Sequence, residues 1–342
     1  RRAAQAALNE LLGDPGVGRP SPAARMTVSE MVARAMAVTE LSPLTREDWE
    51  RVIRDYITPQ LGGLLIAELT AHRVDRHYAE LRGAGVSAWR LVKVHEVLSS
   101  VCSRAVRWGW LAASPIVAAT RPVRPKRRTR AHPDDVLRRL SVAALSDPVW
   151  GLWFHLASVT GARRGELAAL TWGDIDFDEA QVSITKSAAG VTGGVVVKST
   201  KTDEHRVVPV DAVTVDMLRG RLLQHREKLL AVGVRFSPRR YVFAHRRDPL
   251  GNRPVRPDSA TQWFVRLRDD VGAPNVRLGD LRHLTASELL AAGVEVNVVA
   301  EMLGHSPQTL LRNYAHVLEG RKRAAAETMG EIVRRRSSSP AT

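Results

Sequence analysis

The chain is poor in the features that mark secreted and membrane proteins. Its 342 residues include a single cysteine, Cys102, so an internal disulfide is excluded and a reducing compartment fits. No apolar run approaches the roughly 20 residues that cross a bilayer. Residues 1–10 lack the apolar segment of a secretory signal. The sequence therefore predicts a soluble cytoplasmic protein with no membrane partner.

Negative charge is also scarce. The 36 acidic residues are outnumbered by 51 lysines and arginines, which gives a net charge of +15. Such an excess favours a polyanionic partner, because a protein that neutralises phosphates releases their condensed counterions. A protein that is merely soluble and cationic is the alternative. Only 7 of the basic residues are lysine, a bias that either phosphate binding or a GC-rich genome can produce. Charge alone favours a nucleic acid.

Four helix-forming segments follow one another in the first third of the chain. Each begins at a serine or threonine that can accept a backbone hydrogen bond, and each ends near glycine or proline. Short helices joined by tight turns are typical of a small bundle. The predicted helices run from Thr27 to Val38, Thr45 to Tyr56, Thr70 to Gly83 and Ser87 to Gly109.

The segment after the bundle combines basic residues with proline. Proline keeps a chain extended, so these residues are predicted to form a linker. A basic linker is at least a solvated connection, and it could also follow a DNA backbone. The candidate phosphate-binding residues are Arg121, Arg124, Lys126, Arg127, Arg128 and Arg130.

From about residue 131 the pattern mixes helices with strands. Strands are predicted at 181–186, 194–199 and 205–210, the last two as a hairpin with Lys201 in its turn. Apolar periodicity predicts helices on both sides of the strands. They span residues 148–160, 213–230, 259–271, 281–292, 296–303 and 307–317, with a further helix starting near Arg163 and one in the tail from Arg321.

Four short motifs occur in this half in a fixed order. They are TGARRGEL at 160–167, Lys201-Thr202 followed by Arg206, DLRH at 280–283, and LGH at 303–305 with Tyr314 nine residues later. Each could occur by chance, but the four in this order resemble the signatures of the tyrosine recombinase (phage integrase) family. The resemblance covers roughly residues 130–320, and the helical bundle resembles the family's core-binding domain more weakly.

The resemblance implies a two-domain fold: an all-α helical bundle (core-binding, SAM-like) followed by a mixed α+β catalytic domain. The chain begins with arginine, and the predicted helix at 3–12 resembles the junction after an arm-site DNA-binding domain. We therefore expect a truncated N-terminal region and a mobile-element integrase. The expected segments are the N-terminal region and connector (1–25), core-binding domain (26–118), basic linker (119–133), catalytic domain (134–320) and C-terminal tail (321–342).

In the resemblance, Tyr314 attacks the scissile phosphate, giving a 3′-phosphotyrosyl link and a free 5′-hydroxyl. Because the covalent link stores the bond energy, no cofactor or metal is implied. A phenol with an ordinary pKa of about 10 needs a positive environment to become phenolate-like. Arg163 and Arg282 supply that environment, since planar guanidinium groups fit phosphate oxygens and stabilise transition-state charge.

Two further residues complete the implied catalytic set. Lys201 donates a proton to the departing 5′ oxygen, with Lys186 and Lys198 as rivals. His305 hydrogen-bonds the phosphate from a corner between two helices, although a helix-capping role is the alternative. Glu166 is expected to fix the helix that carries the first arginine rather than to transfer a proton.

One position departs from the family pattern. The family usually has histidine three residues before its second arginine, and this chain has Gly279 there. Either the remaining residues sustain catalysis, helped by His283 or by a water, or cleavage is reduced. His283 is expected to pack inside the protein. With the other five positions filled, an active enzyme is the favoured interpretation.

The resemblance also implies partners. These are double-stranded DNA attachment sites, three further copies of the chain in a tetramer, and a directionality factor, all in a bacterial or phage-encoded, nucleoid-associated setting. Two other functions remain open at this point. One is a catalytically weakened DNA-binding accessory protein, which Gly279 would explain, and the other is a type IB topoisomerase with the same chemistry.

Overall fold

The computed structural model describes residues 25–124, 132–199, 205–319 and 321–338. The chain divides into a helical unit, residues 1–128, and a C-terminal unit, residues 129–342. Each unit has its own apolar core. Among the helices of the described ranges, none combines the length with the apolar character that spanning a bilayer requires. The helix predicted at 3–12 lies outside the described residues.

The described part of the helical unit consists of helices and short turns. Thr27 and Glu30 form the predicted reciprocal capping box, and the Thr70 and Ser87 hydroxyls each accept a backbone N–H three residues later. These three helix starts are confirmed. The helices are α1 (Val28–Val38), α2 (Pro43–Val52), α3 (Thr58–Leu61), α4 (Ala71–Gly83), α5 (Ala88–Arg107) and α6 (Pro115–Ala118).

The prediction for the second helix was wrong at both ends. Helix α2 starts at Pro43 because the Ser42 hydroxyl accepts the N–H of Thr45 at 3.3 Å, so Ser42 rather than Thr45 is the cap. At its other end α2 continues through a π-helical turn, Ile53–Ile57, directly into α3. Pro59 does not stop the chain there, because it occupies the first turn of α3, where no backbone donor is required.

Helix α5 forms the centre of the helical unit. Its predicted apolar face is buried against α1, α4 and α6, which explains how a short bundle acquires a core. The residues of this face, none more than 2% exposed, are Leu91, Val94, Leu98, Val101 and Ala105.

The C-terminal unit combines helices with two small antiparallel sheets. Its predicted helices are all present, with ends shifted by a few residues. The helices are α7 (Asp134–Leu145), α8 (Trp150–Thr160), α9 (Arg164–Ala168), α10 (Ala212–Ala231), α11 (Pro257–Asp270), α12 (Asp280–Ala291), α13 (Val296–Leu303), α14 (Pro307–Glu319) and α15 (Arg321–Ser338). The strands are β1 (Ile175–Asp176), β2 (Gln181–Ile184), β3 (Lys186–Val191), β4 (Gly194–Ser199) and β5 (Arg206–Pro209).

The predicted hairpin of 194–199 with 205–210 was wrong. Strand β4 pairs with β3, and β5 pairs with β2 in a three-stranded sheet of order β1-β2-β5. Thr192 and Gly193 make a two-residue connection between β3 and β4, with Gly193 at φ +84°. Pairing β5 with β2 also places buried Val208 opposite buried Val182, which a β4–β5 hairpin would separate.

Candidate active site

Arg163 lies at the start of α9, directly after a left-handed turn. Gly161 ends α8 at φ +58°, a conformation that favours glycine, and a side chain there would also collide with Leu303. The Arg163 guanidinium donates to Glu166 Oε1 at 2.7 Å, and its backbone N–H donates to Oε2 at 2.8 Å. Its side chain is half exposed. Arg163 is therefore held on one edge and open on the other.

Glu166 is a buried carboxylate that holds Arg163 in place. Besides Arg163, it accepts a hydrogen bond at 2.5 Å from Arg206 on β5, and both residues are less than 7% exposed. Burial alone would raise the pKa of Glu166, but hydrogen bonds and charge from Arg206 and Arg163 outweigh it and lower that pKa. Glu166 thus stays ionised and fixes the arginine helix, as expected from the sequence.

Arg206 was missed as a site residue. It also donates through Nε to the Met302 carbonyl at 3.0 Å, so it connects β5 to α13 as well as to Glu166. A signal was present in the sequence: Arg206 and Val208 are two apart in a strand and share a face. An arginine on the buried face of a strand needs a buried carboxylate partner.

Arg282 approaches from α12. Its Nη1 donates to the Gly161 carbonyl at 2.7 Å, and its Nη2 donates to the Leu303 carbonyl. Burial, followed by the positive charge of Arg163, lowers the pKa of Arg282 to about 10, so the group remains protonated at neutral pH. The second arginine of the predicted pair is thus fixed beside the first, on a different helix.

His305 occupies the corner between α13 and α14. Gly304 turns the chain at φ +61°, and its carbonyl lies 3.5 Å from Arg163 Nη2. Burial, then the charges of Arg282 and Arg163, lower the pKa of His305 to about 4. Its Nδ1 atom is buried with no hydrogen-bond partner. A neutral imidazole therefore lies beside both arginines with unused hydrogen-bonding capacity.

Tyr314 lies on α14 at a break in the helix, with φ −122° and ψ 18°. Its ring is fully buried in a small apolar cluster formed by α12, α13 and α14. The hydroxyl lies 2.6 Å from His283 Nδ1. Burial raises the pKa of Tyr314, and the positive charge of Arg282 opposes that rise. The predicted nucleophile is thus buried against His283, near enough to Arg282 for that charge to act on its hydroxyl.

Gly279 precedes α12 and lines a cavity of about 450 Å³. A Cβ added at Gly279 would meet no atom within 4 Å. The cavity wall also includes the two site arginines and two aromatic rings, Trp153 and Phe264. Open space therefore replaces the histidine of the family pattern.

The other predicted site residues are only partly described. Five of them lie outside the described residues: Lys201, Lys126, Arg127, Arg128 and Arg130. Arg121 is exposed. Arg124 donates to Glu96 and lies 5.2 Å over the Trp89 ring, so its contacts are within the helical unit. Across the described ranges, no group of three or more His, Cys, Asp or Glu side chains could hold a metal ion.

Comparison with known proteins adds independent evidence. The model of the phage integrase family matches residues 134–321, more than half of the chain. A XerC-like tyrosine recombinase of Caldanaerobacter subterraneus is 27% identical over 314 residues, covering 85% of this chain and 78% of the relative.

Two solved structures share the fold. The Tn1549 transposon integrase, in complex with transposon right end DNA, has a TM-score of 0.70 at 18% identity, covering 89% of this chain and all of that one. A lambda integrase tetramer bound to a Holliday junction has a TM-score of 0.61 at 19% identity, covering 84% of this chain and 77% of that one. With the family model matched across its C-terminal unit, the chain belongs to the phage integrase family of tyrosine recombinases, which carry out site-specific DNA recombination.

Proposed function

We propose that this recombinase cuts and rejoins DNA through a covalent bond between Tyr314 and the 3′ phosphate at the cleavage site. The observation that carries the proposal is the convergence of four distant chain segments. These segments are the start of α9 with Arg163, the first turn of α12 with Arg282, the α13–α14 corner with His305 and the break in α14 with Tyr314.

The pocket suits the charge that develops at a phosphorus under attack. Arg163 presents an exposed guanidinium edge, and Arg282 adds a second fixed positive charge. Donors fixed in advance stabilise transition-state charge without reorganising during the reaction. The neutral His305 ring can donate one hydrogen bond to a phosphate oxygen. Tyr314 attacks the phosphorus, and the 5′ oxygen leaves.

Lys201 is the proposed proton donor to that 5′ oxygen. Of its two rivals, Lys186 forms an ion pair with Asp174 at 3.0 Å and also lies 3.4 Å from the Thr171 hydroxyl. Lys198 is exposed on β4. The engagement of Lys186 counts against that rival, and the Lys-Thr pattern of the sequence favours Lys201 over Lys198.

The proposed partners are attachment-site DNA, three further copies of the chain and a directionality factor. The fold likeness to the lambda integrase tetramer on a Holliday junction supports a tetramer on DNA. The likeness to a transposon integrase supports integration and excision of a mobile element in a bacterial cytoplasm. Both comparisons favour recombination over a purely accessory or topoisomerase role.

The test uses nicked duplexes carrying the end sequences of the element that encodes the chain, which trap a covalent intermediate. The wild-type protein should give a denaturation-resistant protein–DNA adduct at one sequence, and Tyr314→Phe should give none. An adduct formed by Tyr314→Phe would refute the proposed nucleophile. General relaxation of supercoiled plasmids without strand exchange would indicate a topoisomerase instead.

A further inference from the structure

The Tyr314 hydroxyl is paired with an imidazole on a neighbouring helix. His283 Nδ1 lies 2.6 Å from the phenol oxygen, with the two ring centroids 5.9 Å apart. Helices α12 and α14, which carry the two residues, pack against each other. A nucleophilic hydroxyl within 2.6–3.2 Å of a nitrogen base is the usual arrangement for its activation.

We propose that His283 is the base that takes the Tyr314 proton when the tyrosine attacks DNA. The proposal rests on the function proposed above for Tyr314. As the phenol oxygen bonds to phosphorus, its proton passes to His283 Nδ1, and the bond from phosphorus to the 5′ oxygen breaks. The departing oxygen takes a different proton, from the donor proposed to be Lys201. In the rejoining step the 5′-hydroxyl attacks the phosphotyrosine and returns its proton to that donor, the bond from phosphorus to the tyrosine oxygen breaks, and His283 returns its proton to the tyrosine oxygen.

The other described groups in the pocket are poor proton acceptors. Arg163 and Arg282 are already protonated, so they can stabilise a phenolate but cannot receive its proton. His305 is a weak base, because burial and the neighbouring arginines lower its pKa to about 4. Gly279 has no side chain to offer. His283 is the described group in contact with the phenol oxygen that can bind a further proton.

Several charged and titratable groups surround the pair of His283 and Tyr314. Among the described residues, Arg282 on α12 acts on the Tyr314 hydroxyl, and His283 itself acts on His305. Arg163 at the start of α9 and Arg206 on β5 act on His305 in turn. A buried phenol in this field keeps its proton at rest, because burial raises the pKa of Tyr314. Attack therefore requires an acceptor at the moment of reaction.

The decisive variant is His283→Asn. The asparagine oxygen occupies nearly the place of Nδ1 and can accept the phenol hydrogen bond, but it cannot take the proton. His245→Asn is the matched control, because His245 Nδ1 accepts the Arg247 N–H at 3.1 Å in a loop. In single-turnover cleavage of nicked duplex, His283→Asn should be about a hundredfold slower or more. His245→Asn should cleave at the wild-type rate, and both should keep wild-type Tm and DNA affinity.

Two readouts separate proton transfer from mere positioning. Between pH 7 and 9 the His283→Asn rate should rise about tenfold per pH unit, because only the phenolate fraction attacks, while the wild-type rate should rise far less. A duplex with sulfur in place of the departing 5′ oxygen needs no proton donor. It should restore cleavage by Lys201→Ala and leave His283→Asn slow.

Several outcomes would overturn the proposal. A wild-type cleavage rate for His283→Asn, or its recovery on the sulfur duplex, would show that His283 takes no proton. Faster cleavage by His283→Ala would mean that the hydrogen bond restrains the phenol. If asparagine lowers the Tm, His283→Ala carries the same expectation of slow cleavage, because alanine also cannot take the proton. Tyr314→Phe separates the two proposals: an inactive Tyr314→Phe beside a fully active His283→Asn refutes only the role of His283.

Discussion

The two units of the molecule bury polar groups of different kinds. In the helical unit the Tyr78 hydroxyl pairs with His95 at 3.1 Å, a neutral hydrogen bond inside an apolar core. In the C-terminal unit the carboxylate of Glu166 and the guanidinium of Arg206 are buried together. Burying charges costs far more than burying a neutral pair. The buried ion pair lies beside the arginines that are proposed to hold a phosphate. There it keeps the positive charges in a fixed position.

The largest expected effect comes from breaking the buried ion pair. Arg206→Met should lower the free energy of unfolding of the C-terminal unit by about 3–5 kcal/mol, because Glu166 is left as a buried charge without its main partner. Denaturant unfolding of the full chain measures this. Cleavage should also fall, since Glu166 braces Arg163. Adding Glu166→Gln to Arg206→Met should recover part of the stability. A loss below about 1 kcal/mol in the single variant would contradict this account.

The next prediction concerns protonation. The lowered pKa of His305, about 4, means that the folded state binds this proton less readily than the unfolded state. The contribution of His305 to the free energy of unfolding is therefore fully present above the ordinary histidine pKa of about 6.5. It is lost as the pH falls from there towards 4.

DNA binding should change that protonation. A phosphate beside Arg163 and Arg282 offsets their charge and should raise the pKa of His305. Histidine NMR titration with and without a DNA duplex measures the change. His77, whose pKa is lowered mainly by burial in the helical unit, is the internal control and should not shift with the site phosphate. Equal pKa shifts at His77 and His305 would contradict the expectation that the phosphate acts on the histidine of the C-terminal unit alone.

A smaller effect is expected in the helical unit. Tyr78→Phe removes the neutral hydrogen bond to His95 and should cost about 1–2 kcal/mol, because the imidazole loses one partner. Cleavage by the C-terminal unit should be unchanged once the protein is folded. Thermal unfolding and the adduct assay test the two parts separately. If Tyr78→Phe lowered the free energy of unfolding as much as Arg206→Met, buried charged pairs and buried neutral pairs would contribute equally to stability in this protein.

Much of the fold follows from local signals. The caps at Thr27, Thr70 and Ser87 fix helix starts because each satisfies a backbone donor within three residues. The two-domain fold class, all-α followed by α+β, is confirmed by the structure and its solved relatives. The strand pairing was wrong, since it depends on which buried side chains face one another, and β5 finds β2 rather than β4.

In the candidate site, too, the local features could be predicted from the sequence and the long-range contacts could not. Arg163, Arg282, His305 and Tyr314 could be named from short motifs because each motif is local in sequence. The contacts that tune them join distant segments: Arg206 reaches Glu166 across 40 residues, and His283 reaches Tyr314 across 31. His283 was expected only to pack inside, because no periodicity shows which side chain its ring will meet.

The smallest expected effect lies where the C-terminal unit has space instead of charge. Gly279 has φ −67° and ψ −17°, which any residue can adopt, and no atom would obstruct a new Cβ. Gly279→Ala should therefore raise the free energy of unfolding by about 0.4–1 kcal/mol by restricting the unfolded chain. Gly279→His should gain similar stability and also cleave several-fold faster, because an imidazole at the cavity edge adds a donor beside Arg282. Single-turnover cleavage of nicked duplex distinguishes the two, with alanine as the matched control. Equal rates for the alanine and histidine variants would mean that the pocket already supplies every donor the phosphate can use, and that the glycine is fully compensated.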